Sequence, residues 1–196
     1  MKMNSPYLLR PRLLLGLALS LMAPVCGYSE ISGKLDDFSH ETLTTFKTAR
    51  MVINDADMGG KSTAELRTRD GVLKVNGEIV PARGMPGFVS MVLLLSETGE
   101  PRDLSAYDGL CLRVRVNKGS LQVLAASSKI QNFDYHTAPI TRSKEFKEIK
   151  IPFIDLKRLW SEQTPLELST IVSINLVASG MEPGSFAYEI DEIGFY

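Results

Sequence analysis

Residue types that carry catalysis or hold transition metals are scarce in this chain. Its 196 residues include two cysteines, two histidines and one tryptophan. Cys26 lies just after an N-terminal apolar run, so if that region is removed Cys111 stands alone and no internal disulfide forms. With only His40, His136 and one thiol left, a zinc or iron site lacks ligands. No Gly-x-Ser-x-Gly elbow is present for acyl transfer. Neither sign of charge dominates: 22 Lys and Arg stand against 23 Asp and Glu, leaving no bulk field to attract nucleic acid or anionic lipid. Long apolar runs are missing as well. Leu13 to Ala23 spans only about 16 Å as a helix, roughly half the hydrocarbon thickness of a bilayer, so a permanent transmembrane helix is not expected.

That apolar run has its own meaning. Lys2, Arg10 and Arg12 precede it, no acid occurs before Glu30, and Pro24 with small residues follows. A basic head, a short apolar core and a small-residue exit describe a secretory signal peptide. The expected organisation is a signal over residues 1–27, a mature tail over 28–35 and one domain over 36–196. The protein is expected to be secreted or periplasmic. Lipid attachment at Cys26 is disfavoured because Val25 fills the place where acylated sites carry Gly, Ala or Ser. Without the three basic residues of the signal, 19 basic residues face 23 acidic ones. The mature chain is then mildly acidic.

Downstream, glycine and proline punctuate short runs of period-two alternation. In "LCLRVRV", Leu110, Leu112, Val114 and Val116 share one face, and Cys111, Arg113 and Arg115 the other. "GVLKVNGEIV" reads as a strand with a hairpin turn at Asn76-Gly77. "GFVSMVLLL" reads as a central strand covered on both faces. In "FAYEIDEIGFY", Phe186, Tyr188 and Ile190 have one parity and Ile193 and Phe195 the other, which calls for a bulge near Asp191-Glu192. Helical signal is confined to one or two turns in "FIDLKRLW". Many short strands with regular turn signals indicate an all-β antiparallel sandwich or barrel.

The candidate site begins at "INDADMGGKS". A phosphate loop needs a glycine five places before Gly-Lys-Ser, and Asp55 stands there instead, so the nucleotide reading fails. Gly59-Gly60 suits positive φ in a tight connection, with Met58 packed beneath it. Asn54 and Asp55 can satisfy backbone N–H groups in the same turn, or the loop can face a ligand at one end of the sandwich. No cofactor is expected, although Asp55, Asp57, Glu189 and Asp191 offer oxygens for calcium if the terminal strands lie side by side. His136, with Asp134 two residues away, lacks a nameable nucleophile and reads as a partly exposed strand histidine. Trp160, Tyr107, Phe133 and Tyr135 are the aromatic candidates for stacking on a sugar, and burial in the core is the favoured place for Trp160.

These pieces together carry a family likeness. "INDADMGGKS" resembles the Asn-Asp-x-x-Met-Gly-Gly-x-Ser signature of the complex I intermediate-associated protein family, through Asn54, Asp55, Met58, Gly59, Gly60 and Ser62. "GMPGFVSM" is similar to its Gly-Gly-Phe-x-Ser stretch through Gly87, Phe88 and Ser90. "DLSAYDGLCLRVRV", "EFKEIKIPF" and "SFAYEIDEIGFY" follow in the family's order. The resemblance implies a galactose-binding-like jelly-roll β-sandwich. It also implies a non-enzymatic, protein-binding assembly or chaperone-like factor whose partner belongs to a membrane-associated complex, since the best-known member assists assembly of NADH:ubiquinone oxidoreductase. The alternative is a secreted carbohydrate-binding module. Departures from the family pattern are Arg50-Met51 where an aromatic is common, Val116-Asn117-Lys118 in place of a Gly-Asp-Gly turn, and Val92 in place of an arginine.

Overall fold

Alternation of apolar and polar residues sets two antiparallel sheets face to face. The computed structural model describes residues 33–196. The signal segment expected over 1–27, Cys26 included, lies outside the described residues. Eleven strands follow in order: β1 Gly33–Asp36, β2 Met51–Asn54, β3 Thr63–Arg69, β4 Val72–Ile79, β5 Gly87–Leu94, β6 Gly109–Lys118, β7 Leu121–Ser127, β8 His136–Ile140, β9 Ser143–Pro152, β10 Ile171–Gly180 and β11 Gly184–Phe195. One sheet runs β3-β4-β11-β6-β9, with β1 pairing to β11, and the other runs β2-β5-β10-β7-β8. The last two strands sit in the middle of the two sheets, so the chain closes between strands laid down much earlier. This is an all-β jelly roll. β1 begins inside the segment expected to be a tail.

The core lies between the sheets. Leu110, Leu112, Val114 and Val116 of β6 face Val89, Met91 and Leu93 of β5 and Ile174, Leu176 and Ala178 of β10, all essentially buried. Fully burying a side chain of this size is worth about 1.5–3 kcal/mol. The expected bulge is present: the β11–β6 register shifts between Ile190 and Glu192, and Ile190, Ile193 and Phe195 are all buried.

One local expectation is corrected. Asn76-Gly77 is not a turn but mid-strand in β4, paired with Ala187 and Phe186. A Cβ on Gly77 would overlap the Thr63 carbonyl and crowd the Phe186 ring, so the glycine serves close packing. The turn falls instead at Asp70-Gly71, where both residues take positive φ (52° and 73°), as a tight hairpin requires. Of the one or two helical turns expected in "FIDLKRLW", one is present, the 3₁₀ turn Phe153–Asp155. Beyond it the chain is drawn alongside β8, where Thr137 and Lys157 exchange backbone bonds of 2.8 and 2.9 Å.

Arg50, standing where the family pattern has an aromatic, is buried with Asp36. Its Nε and Nη2 donate to the two Asp36 oxygens at 2.6 and 2.9 Å, and the remaining donors reach the carbonyls of His40, Glu41 and Leu43 at 2.9 Å. Its guanidinium also lies 4.9 Å from the Phe38 ring centroid. Every guanidinium donor is used. Arg50→Ala therefore leaves Asp36 charged and stranded, and denaturant titration should show a loss of about 3–5 kcal/mol. Arg67→Ala removes only an exposed pair with Glu65 and should cost less than about 1 kcal/mol.

Candidate functional site

The signature residues converge on one buried carboxylate. Asp55, 1% exposed, opens a 3₁₀ turn (Asp55–Met58) directly after β2. Its Oδ1 accepts the Ser62 N–H at 3.0 Å, and its Oδ2 accepts the Ser62 hydroxyl at 2.7 Å and the Phe88 N–H at 3.3 Å. The Ser62 hydroxyl in turn accepts the Val80 N–H at 2.9 Å. Asn54 caps the turn through its own side chain, accepting from Ala56 N–H and donating to the Ser62 carbonyl. Gly59 supplies the expected positive φ, 82°. Gly60 has a different task, because a Cβ there would overlap the Asp55 carboxylate; one on Gly87 would stand 2.9 Å from its Oδ2. Met58 is 44% exposed and is not packed beneath the glycines.

The four acids weighed for calcium are held apart. Glu189 and Asp191 lie on the outward face of the other sheet, paired with Arg115 and Lys74 and with Arg113 respectively. Burial opposes the Glu189 charge, but Arg115 and Lys74 outweigh it and hold its carboxyl below the usual range. Among the described residues no three His, Cys, Asp or Glu are grouped to hold a metal ion.

A second constellation joins the approach to β8 with the loop after the 3₁₀ turn. Asp134 is buried and accepts N–H bonds from three successive residues, Leu159 (2.8 Å), Trp160 (3.1 Å) and Ser161 (2.6 Å). Arg158 Nε donates to the Asp134 carbonyl, and Asn132 accepts from Arg158 and donates to Ser161. Burial pushes the Asp134 carboxyl up, but the bonds from Leu159, Ser161 and Trp160 more than offset this and hold it low. His136 is not a partly exposed residue paired with Asp134. It is 2% exposed, with Nε2 against the Thr164 carbonyl at 2.7 Å. The loop so anchored displays Trp160 and Leu159 at 67% and 62% exposure, which corrects the core reading of Trp160, and Phe133 beside Asp134 is 76% exposed. Phe133 holds a φ of 61°, an unfavourable conformation for a bulky side chain.

β8 is also the edge strand of a sheet whose outward face the sequence alone did not single out. No Asp, Glu, Lys or Arg occurs in β2, β5, β7, β8 or β10. Strand register lays two outward rows across their sheet, Met51-Val92-Asn175-Leu124-Thr137 and Ile53-Ser90-Val177-Gln122-Pro139. The middle is recessed, with Val92 and Ser90 only 4% and 7% exposed although they point away from the core. Asn175 Oδ1 is buried there with no hydrogen-bond partner among the described residues. Ser90 stands in this face, Phe88 points outward near its end, and Tyr135 continues the outward parity of β8. The predicted residues therefore divide: Asn54, Asp55, Gly59, Gly60, Ser62 and Gly87 form the corner knot, Ser90, Phe88 and Tyr135 belong to the face by strand parity, and Trp160 belongs to the loop anchored on Asp134. The signal for this face was available as five strand segments free of charge.

A family model described as Complex I intermediate-associated protein 30 matches residues 37–190, well over half of the chain. The chain belongs to this family. No curated protein matches the sequence. Among solved structures, the family 11 carbohydrate-binding module from Clostridium thermocellum, in complex with a β-1,3-1,4-mixed-linked tetrasaccharide, is similar at a TM-score of 0.60 and 19% identity. The match covers 83% of this chain and 94% of that one. The family 11 module of the cellulosomal cellulase Lic26A-Cel5E of the same organism matches at 0.59 and 18%, covering 84% and 95%. An agarase matches at 0.52 and 14%, over 82% of this chain and 24% of that one. At these identities the likeness to solved structures establishes the jelly-roll fold and nothing finer.

Because bonding holds the Asp134 carboxyl low, its ionised form stabilises the folded state above the ordinary carboxylate pKa. That stabilisation fades as the pH falls through the lowered value. Melting temperature should therefore drop on acidification below about pH 4. Asp134→Asn should be less stable at neutral pH and show a flatter acid limb.

Proposed function

We propose that this chain is a non-enzymatic binding module that takes an uncharged carbohydrate chain on the outward face of its five-stranded sheet. The observation that carries the reading is the recessed, charge-free surface with an unpartnered acceptor, Asn175 Oδ1, in its floor. A buried acceptor left unbonded costs about 1–3 kcal/mol, which a ligand hydroxyl would relieve. Gln122 and Ser90 offer further neutral polar groups beside it, and Val92, Val177 and Leu124 give the apolar surface that sugar C–H faces need. Tyr135 and the exposed Trp160 stand at the β8 margin as stacking platforms. The tetrasaccharide named with the family 11 module supplies the first ligand class to test, a β-linked glucan.

Export fits the same reading, with the signal over 1–27 removed and the domain over 36–196 released. Mass spectrometry of the native N-terminus tests it; a chain retaining residue 1 would contradict export by cleavage. A second reading, a protein-binding factor acting on a membrane-associated complex, is supported by family membership and by the exposed apolar strand β2.

Titration with a mixed-linkage β-glucan oligosaccharide tests the main reading. Trp160 is the only tryptophan, so its fluorescence reports binding directly. Trp160→Ala and Asn175→Ala, followed by calorimetry, should each weaken binding about tenfold, or ~1.4 kcal/mol, with the melting curve retained. Absence of binding to any neutral glycan on an array would reject the reading.

A further inference from the structure

We propose that the free edge of β2 is a docking site for an extended, apolar strand of a partner protein, which adds to the five-stranded sheet. An unpaired edge exposes a row of backbone donors and acceptors, and folded proteins blunt such edges with charge, proline or a covering segment. Three of the sheet edges here follow that rule. β3 carries Glu65, Arg67 and Arg69, and β9 carries five charged residues and ends at Pro152. β8 contains Pro139, and Lys157 pairs against its outer side.

Among the described residues, β2 has none of these protections. Met51, Val52 and Ile53 are consecutive, uncharged and 39%, 42% and 52% exposed, so side chains on both faces of the strand are open to solvent. Among the described residues β2 pairs only with β5.

The dimensions select the occupant. β2 has four residues, a pairing length of about 14 Å, and two copies joined edge to edge over that length fall short of the ~800 Å² per partner typical of a stable dimer. A single extended segment can pair along β2 and also cover its two open faces, with main-chain bonds giving affinity and alternate side chains giving selectivity. The uncharged lining specifies a segment of neutral, β-branched character. This site adjoins the glycan face at Met51 and Ile53, and it stands whether or not a glycan binds there.

The test uses the purified protein and a synthetic peptide of alternating valine and threonine with charged ends. Amide exchange is followed by NMR, and the oligomeric state by sedimentation. The expected result is a monomer whose residues 51–54 gain protection on adding peptide. The double variant Val52→Lys, Ile53→Lys should weaken that binding about tenfold, since edge charges oppose strand addition. Thr63→Lys on the β3 edge should leave binding unchanged. Melting curves establish that the variants fold, and the exchange measurement on the unaltered protein stands without them. Absence of protection at 51–54 with peptide in excess, equal binding by the β2 variant, or a β2-dependent dimer would each overturn the proposal.

Discussion

A single buried carboxylate fixes how the two sheets meet. Asp55 leaves β2 of the five-stranded sheet and bonds the Phe88 amide at the start of β5 in the same sheet. Through Ser62 it also holds the approach to β3, and the Ser62 hydroxyl takes the amide of Val80 just beyond β4, both in the other sheet. The carboxylate is satisfied by N–H and O–H donors, a charge-assisted arrangement stronger than a set of neutral bonds. Two glycines make room for it where any side chain would collide. The corner that turns the chain from one sheet to the other is thus built around one carboxylate, and Asn54, Gly60, Ser62 and Gly87 of the signature stretches serve to hold it or make room for it.

With the corner fixed, the two outward faces are free to differ. On the six-stranded sheet Lys74, Glu189 and Arg115 form a ladder, Arg113 meets Asp191, and both arginines lie within about 5 Å of the Phe146 ring. The unpartnered atoms on that face, Arg115 Nε and Asp191 Oδ1, belong to groups already in ion pairs. That face satisfies itself. The five-stranded sheet has no charge in any strand and keeps an acceptor unbonded in its floor. One face is closed electrostatically and the other is open to a neutral ligand.

Much of this was legible in the sequence where a local pattern determined the outcome. The parity change between Ile190 and Ile193 predicted the bulge, because every core residue must return to the same side of the strand. The two-sheet fold followed from the alternation in "LCLRVRV" and its neighbours. Errors arose where the deciding contact is distant in sequence. Asn76-Gly77 looks like a turn, but Phe186 needs Gly77 flat against it, more than a hundred residues away. Trp160 suggested core packing, and nothing adjacent to it reveals that Asp134 holds its backbone and turns its ring outward. Met58, read as packed beneath the paired glycines, is displaced because the space beside Gly60 is filled by Asp55.

Three features that break local rules lie on or beside the five-stranded sheet, and they are a structural reason to place function there. Phe133 holds a left-handed conformation at high exposure, Asn175 keeps a buried oxygen unbonded, and β2 leaves an apolar edge uncovered. Each is unfavourable on its own by an amount comparable with a surface mutation or more. The rigid corner at Asp55 and the Arg50–Asp36 pair lie outside this surface and supply the stability that lets it remain unsatisfied until something binds.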